Sequence, residues 1–180
     1  VRIATWNVNS LRVRLPRVLE LLERHAPDVV CLQETKCAPD AFPLVELRAA
    51  GYHAVHDSGG QWAGVALLAR SPLTPIDAQL GLAGEPGPHE ARWCEATIGQ
   101  IRFASVYVPN GRTLESPEYP RKLAFLDAMA RLASAPAHEP RVIAGDMNIA
   151  PADIDVYDPQ AFVGGTHVSD PERATLQQIL

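Results

Sequence analysis

Apolar and polar positions along the chain follow two periods. Short runs rich in β-branched and other apolar residues cover 2–8, 29–32, 52–57, 65–69, 92–98, 101–108 and 141–144, each bounded by turn-forming residues. That spacing predicts strands. Between them the period lengthens to that of helices. Leu15, Val18, Leu19, Leu22 and Ala26 mark one helix, with Pro16 in its first turn and its end before Pro27. Residues 43–50, closed by Gly51, form a short second helix, and Leu123, Leu126, Met129 and Ala133 define a third over 120–133. Ser169, Pro171 and Glu172 read as a capped helix start ahead of the stripe Leu176, Ile179 and Leu180. Residues 73–87, rich in Gly and Pro, read as an edge strand or loop, and 152–166 as mostly loop. Gly99-Gln100 turns a hairpin. The first strand, helix and strand form a βαβ unit or an equivalent crossover. Many strands with few helices predict a layered α/β sandwich and not a pure parallel fold. No G-x-G-x-x-G follows the first strand, and no P-loop, H-E-x-x-H or Cys/His zinc cluster occurs.

Four of the strands end on polar groups. Ile3-Ala4-Thr5-Trp6 runs into Asn7-Val8-Asn9, Val29-Val30-Cys31-Leu32 into Gln33-Glu34-Thr35, Phe103-Ala104-Ser105-Val106 into Tyr107-Val108-Pro109-Asn110, and Val142-Ile143-Ala144 into Gly145-Asp146-Met147-Asn148. Ligands of open α/β sheets bind at the carboxyl ends of strands, so the chain is expected to gather these four ends. Each group also has a structural alternative. Asn7, Asn9 and Asp146 are turn formers, Glu34 could be an exposed strand-end carboxylate, and Tyr107 a half-buried phenol bonded to backbone. If the extended backbone persists, Asp146 and Asn148 point the same way. A carboxylate and a carboxamide so placed suit a phosphate held with a hard metal ion. A strand-end Glu34 would be costly buried alone and is compensated by such a cation.

A length of 180 residues favours one domain with a real core. Hydrophobic content of 47% and charged content of 21% are those of a globular protein. No run reaches the ~18 apolar residues of a membrane span, and no targeting segment is visible at the start. A net charge of −5 argues against a generally basic surface, yet a local basic patch suffices for nucleic acid. Cys31, Cys37 and Cys94 are odd in number and lack metal spacing; Cys31 inside a strand reads as a buried thiol in a reducing, cytoplasmic setting.

The blocks Trp6-Asn7-Val8-Asn9, Leu32-Gln33-Glu34-Thr35-Lys36, Gly64-Val65-Ala66-Leu67-Leu68, Tyr107-Val108-Pro109-Asn110 and Gly145-Asp146-Met147-Asn148 occur in the order and spacing of the exonuclease III family. The block from Phe162 to Ser169 with Glu172-Arg173 also resembles its bacterial members. This is the bacterial AP endonuclease branch of the endonuclease/exonuclease/phosphatase superfamily. The resemblance implies a four-layer α/β sandwich with two packed mixed sheets and the site at one rim. It implies Mg²⁺-dependent hydrolysis, with Mn²⁺ as substitute, of double-stranded DNA at abasic sites and 3′ ends. The activities implied are incision 5′ to abasic sites, 3′-to-5′ exonuclease action and 3′-phosphatase action, in a monomer with no membrane role. By the same resemblance, Glu34 is the metal ligand, with Asn7 supporting metal and phosphate. Asp146 activates the attacking water and Asn148 orients it, while Tyr107 and Asn110 contact phosphate. Asn9 stands where some relatives carry a carboxylate. The Glu34 and Asp146 carboxylates should lie within about 8 Å of each other, near enough to engage a hydrated metal and a phosphate together. Further DNA contacts are expected from Arg92, Arg112, Arg121, Lys122 and Trp62.

The family pattern continues with an aromatic loop and a late Asp-His pair that the sequence does not contain. Its histidines are His25, His53, His56, His89, His138 and His167, none in an Asp-His context; His167 reads as a turn or cap residue. The chain also stops on the apolar stripe at 176–180 without a C-cap. It is therefore expected to be truncated, the N-terminal two-thirds or so of the pattern, with little nuclease activity and a tendency to associate. Two alternatives stand beside the nuclease: a non-catalytic DNA-binding or assembly module, and an inositol-phosphate or lipid phosphatase of the same superfamily.

Overall fold

The computed structural model describes residues 1–136 and 139–180; His138 lies outside the described residues. The chain groups into two compact units. One comprises Val1–Gly81, His89–Tyr107 and Ala137–Asp146, the other Leu82–Pro88, Val108–Pro136 and Met147–Leu180.

Both sheets belong to the first unit. The first sheet has the order β1 (Ile3–Asn7), β2 (Val29–Gln33), β4 (Val65–Arg70), β3 (Tyr52–Asp57). β1 and β2 run parallel, joined through α1 (Leu11–His25), as the βαβ pattern predicts. The second sheet has the order β5 (Ile76–Leu80), β6 (Trp93–Ile98), β7 (Ile101–Tyr107), β8 (Arg141–Asp146). β6 and β7 form the hairpin through Gly99, whose φ of 67° needs a glycine, and β7 pairs with β8 in parallel. The fold is thus α/β with two mixed sheets, neither a barrel nor a single parallel sheet. Val29, Cys31, Val65 and Leu67 of the first sheet pack with Cys94, Ala96 and Phe103 of the second. Each large apolar side chain so buried contributes about 1.5–3 kcal/mol. Buried Gln33 adds a polar tie: its Nε2 donates to Ser105 Oγ at 3.1 Å, and Ser105 Oγ donates to Leu32 O at 3.0 Å. The outer face of the first sheet is covered by Leu11, Val18 and Leu22 of α1 and Leu47 of α2 (Leu44–Ala49).

Two local expectations change, and one of two readings is selected. α1 begins at Leu11, so Pro16 lies inside the helix and not in its first turn. The start is set by tertiary bonds, Ser10 N–H to Glu34 O and Leu11 N–H to Thr35 O, each 2.8 Å. β8 does not stop at Gly145 but runs on to Asp146. Gly145 is there for clearance: a Cβ on it would lie 2.0 Å from Val106 O of the neighbouring strand. Residues 76–80, within the span read as an edge or loop, are an exposed edge strand whose pairing to β6 shifts register between Ile76 and Gln79.

The second unit holds α3 (Glu118–Ser134), α4 (Asp170–Ile179) and two short 3₁₀ turns at Asp153–Asp155 and Pro159–Phe162. α4 opens with the Ser169/Glu172 capping box that its sequence predicts. Its apolar stripe is narrower than expected: Leu176 is buried, but Leu180 is 85% exposed. α3 buries Phe125, Leu126 and Met129 on one face. Among the described residues no helix is long and apolar enough to cross a membrane, and the three cysteines are buried free thiols.

Candidate active site

In the first unit the strand registers bring four chain ends to one rim. Asn7 is paired with Gln33, the residue before Glu34, and Tyr107 is paired with Asp146. Asn7 joins the two sheets. Its Nδ2 donates to Glu34 Oε1 at 2.7 Å and to Asp146 Oδ2 at 2.8 Å. Both oxygens therefore lie within one hydrogen bond of the same nitrogen, well inside the separation of about 8 Å that joint engagement of a hydrated cation and a phosphate permits. Asn7 Oδ1 accepts the Asn9 N–H at 3.1 Å, so the turn alternative and the bridging role coexist in one side chain. Glu34 sits at φ 52°, which turns the chain off the end of β2.

Charge at this rim is unevenly matched. Lys36 Nζ pairs with Glu34 Oε2 at 2.7 Å and also donates to Asn9 Oδ1 at 2.6 Å. Arg92 stacks 4.8 Å from the centre of the Tyr107 ring but is paired with Glu90 at 2.7 Å. Burial pushes the Glu34 carboxyl up, yet hydrogen bonds from Asn7, Lys36 and Tyr107 outweigh it and hold the group below its ordinary value. Burial first, and then the Glu34 charge, push the Tyr107 phenol up to about 12. Tyr107 is thus a neutral hydrogen-bond donor to Glu34 and not a ready phenolate. Two carboxylates held on one amide offer hard oxygen donors at a partly exposed rim, a donor set that fits a hard divalent cation. Among the described residues no three of His, Cys, Asp and Glu converge as a metal cluster. Glu34 would hold such an ion with Asn7 in support, and Asp146 stands beside them. Asn7 also braces the two carboxylates through its Nδ2, and its Oδ1 accepts the Asn9 N–H with one of two lone pairs.

In the second unit Asn110, Asn148 and His167 surround Lys122. The expectation that Lys122 contacts DNA is corrected here: its side chain is 0% exposed and pairs with Glu172, also 0% exposed. α3 turns this residue toward α4 instead of solvent. The expected extension through Asn148 also fails. Asn148 has φ 50°, and its Nδ2 donates to Val108 O at 2.8 Å. His167, at φ 76°, donates its backbone N–H to Glu172 Oε1 at 3.0 Å, the cap setting its sequence predicted. Of the other proposed DNA contacts, Trp62 is 81% exposed. Arg112 is exposed, its backbone N–H tied to Asn110 Oδ1 at 3.0 Å. Asn110 is exposed; Arg121 pairs with Glu118 at 3.1 Å. One pair was invisible in the sequence. His89 Nε2 lies 2.8 Å from Asp57 Oδ2, in a chain where the two are far apart. Asp57 is aligned with Val65, and Val65 with Gln33, so this His–Asp pair lies at the same end of the first sheet as Glu34.

The family model described as Endonuclease/Exonuclease/phosphatase matches residues 4–175. The chain belongs to the endonuclease/exonuclease/phosphatase family. Within it, the chain is 34% identical to Recombination repair protein 1 of Drosophila melanogaster over its whole length, covering 26% of that protein. It is 31% identical to DNA repair nuclease APEX1 of Danio rerio, again over its whole length, covering 59% of that protein. Among solved structures it matches a 3′ phosphatase, NExo, from Neisseria bound to a product DNA hairpin. Identity there is 37% and TM-score 0.94, over 99% of this chain and 69% of that one. The names of these relatives, a recombination repair protein, a DNA repair nuclease and a 3′ phosphatase bound to DNA, agree with the resemblance to exonuclease III. The chain spans only part of the length of each.

Proposed function

We propose that the Glu34–Asp146 rim is the phosphate-hydrolysing centre of a DNA-repair nuclease acting on abasic sites and 3′ ends of duplex DNA. The observation that carries this is the Asn7 amide bridging both carboxylates at 2.7 and 2.8 Å. In this reading Glu34 holds a divalent cation, Mg²⁺ or Mn²⁺, which when bound neutralises charge on the phosphate and polarises it. Asp146 accepts the proton of the attacking water at its carboxylate. Asn7 keeps Asp146 and Glu34 at fixed separation, and the Tyr107 hydroxyl holds Glu34 as an acceptor. Asn110 and Asn148 contact or orient the phosphate, and Arg112 and Trp62 supply further DNA contact. Arg92, already paired with Glu90, contributes less, and Arg121 is likewise paired. The relatives named as repair nuclease and 3′ phosphatase support this choice over a phosphatase of inositol phosphates or lipids, or a non-catalytic module. Buried free thiols agree with a reducing, cytoplasmic setting, and a monomer is expected of the full-length enzyme.

The test is phosphate release from a duplex carrying a 3′-phosphate, and incision of abasic duplex, with and without Mg²⁺. A Mg²⁺-dependent signal abolished by chelation and by Asp146→Asn supports the proposal. Because no Asp-His pair of the family type is present, the 180-residue chain should hydrolyse slowly while binding such duplexes. Absence of both binding and hydrolysis would sink it.

A further inference from the structure

Lys122 is the one cation of the chain that the structure buries completely, with Glu172, among the described residues whose ion pairs are resolved. Its ammonium has three protons to give. It donates to Asn148 O at 2.6 Å, to Asn110 O at 3.3 Å and to Glu172 Oε1. His167 completes the set. Its Nδ1 lies 2.5 Å from Asn148 O and 3.3 Å from Lys122 Nζ, and its Nε2 lies 3.4 Å from Asn110 Nδ2. One assignment fits these contacts: the His167 Nδ1–H donates to Asn148 O, Asn110 Nδ2 donates to His167 Nε2, and the ammonium donates to the two carbonyls and Glu172. Glu172 is fixed in turn. It accepts the His167 N–H at 3.0 Å, the Ser169 N–H at 3.1 Å and the Ser169 hydroxyl at 2.6 Å. Burial raises its carboxyl, but these donors and Lys122 hold it below its ordinary value. The packing leaves no slack, since a Cβ on Gly111 would come within 3.0 Å of Lys122 Cδ.

Replacing a buried ion pair by apolar groups is often neutral or stabilising. Stability therefore does not explain why charge is kept here. What only a buried ammonium supplies is donors directed at carbonyls of two segments distant in sequence. We propose that Lys122, held by Glu172, is a positioning residue that fixes Asn110 and Asn148 with respect to each other for a DNA phosphate. This rests on the reading of Asn110 and Asn148 given above.

The experiment compares Lys122→Met with the double variant Lys122→Met/Glu172→Gln in the 180-residue chain. The single variant leaves a buried carboxylate without its cation and lowers Tm. The double variant removes both charges, so Tm climbs back. Positioning, however, is not restored: affinity for a duplex ending in a 3′-phosphate stays at least about tenfold weak. The amide resonances of Asn110 and Asn148 stay displaced. Recovery of Tm, affinity and both resonances together would overturn the proposal and leave Lys122 as structural only. Should the unaltered chain bind no duplex, the proposed function fails while the resonances still decide this inference. If the double variant does not fold, the unaltered chain decides. A coupling across the hydrogen bond from Lys122 ¹⁵Nζ to the Asn148 carbonyl carbon is expected, and its absence overturns the proposal.

Discussion

Two regions of the molecule hold charge in opposite ways. At the rim of the sheets, Glu34 and Asp146 are half-buried and share one amide donor, and Glu34 is also paired with the Lys36 ammonium. Around Lys122, one fully buried cation meets one fully buried anion, and the ammonium also donates to the backbone carbonyls of Asn110 and Asn148. The first arrangement has two carboxylates side by side and access to water, the conditions for taking up a cation and a phosphate. The second has a buried ion pair at its centre, the condition for holding backbone in place. A Lys near a motif loop is therefore no guide to which it does. Lys36 and Lys122 both flank site residues, yet one tempers a carboxylate at the surface and the other locks carbonyls inside.

The largest expected difference between the regions is in stability. Lys122→Met should cost about 3–5 kcal/mol, as breaking a buried pair does. Lys36→Met, at a part-exposed pair, should cost no more than about 1 kcal/mol. Urea unfolding of both variants checks this, and equal losses would break the comparison. Next comes metal uptake. Glu34→Gln should weaken Mn²⁺ binding, followed by electron paramagnetic resonance, at least about tenfold, whereas Glu172→Gln should leave it unchanged if folded.

Titration sharpens the contrast further. Glu34 and Glu172 both have folded values below the ordinary 4.5. Each contributes stability that is present above 4.5 and lost as pH falls through the lower folded value, so acid does not separate the regions. Base does. Tyr107 rises from 10.0 to about 12. Its contribution is whole below pH 10 and lost as pH rises through 12, and Tyr107→Phe should abolish that alkaline step in a pH series of thermal melts. The smallest effect expected is at the surface. Arg112→Ala should lower duplex affinity and reduce the salt slope by about 1, while Arg92→Ala should change the slope less, because Glu90 already neutralises it. An Arg92 effect equal to that of Arg112 would show that the Glu90 pair opens on binding.

Much of the rim was legible from residue order alone. Strand period, Gly-Asp at a strand end and the Glu34 and Tyr107 positions all follow from local pattern, because a strand that ends in polar residues presents them at its carboxyl edge. Three features were not legible. The Asp57–His89 pair joins residues that only the sheet and its loops bring together. The start of α1 is fixed by carbonyls of Glu34 and Thr35, which no local signal encodes. Gly145 looked like a stop and is a clearance residue, which depends on the neighbouring strand.

By itself the sequence determined the alternation of strands and helices, the capping box of α4 and the polar strand ends, all consequences of side-chain period and local hydrogen bonding. Only the tertiary structure decided which charges meet water. Lys122 lies next to Arg121 in the chain, but helical geometry turns neighbours about 100° apart. α3 thus pairs Arg121 with Glu118 on its own surface and sends Lys122 inward to Glu172. The same is true of Glu34 and Asp146: their proximity comes from the pairing of β1 with β2 and of β7 with β8, and from one Asn7 amide that reaches both.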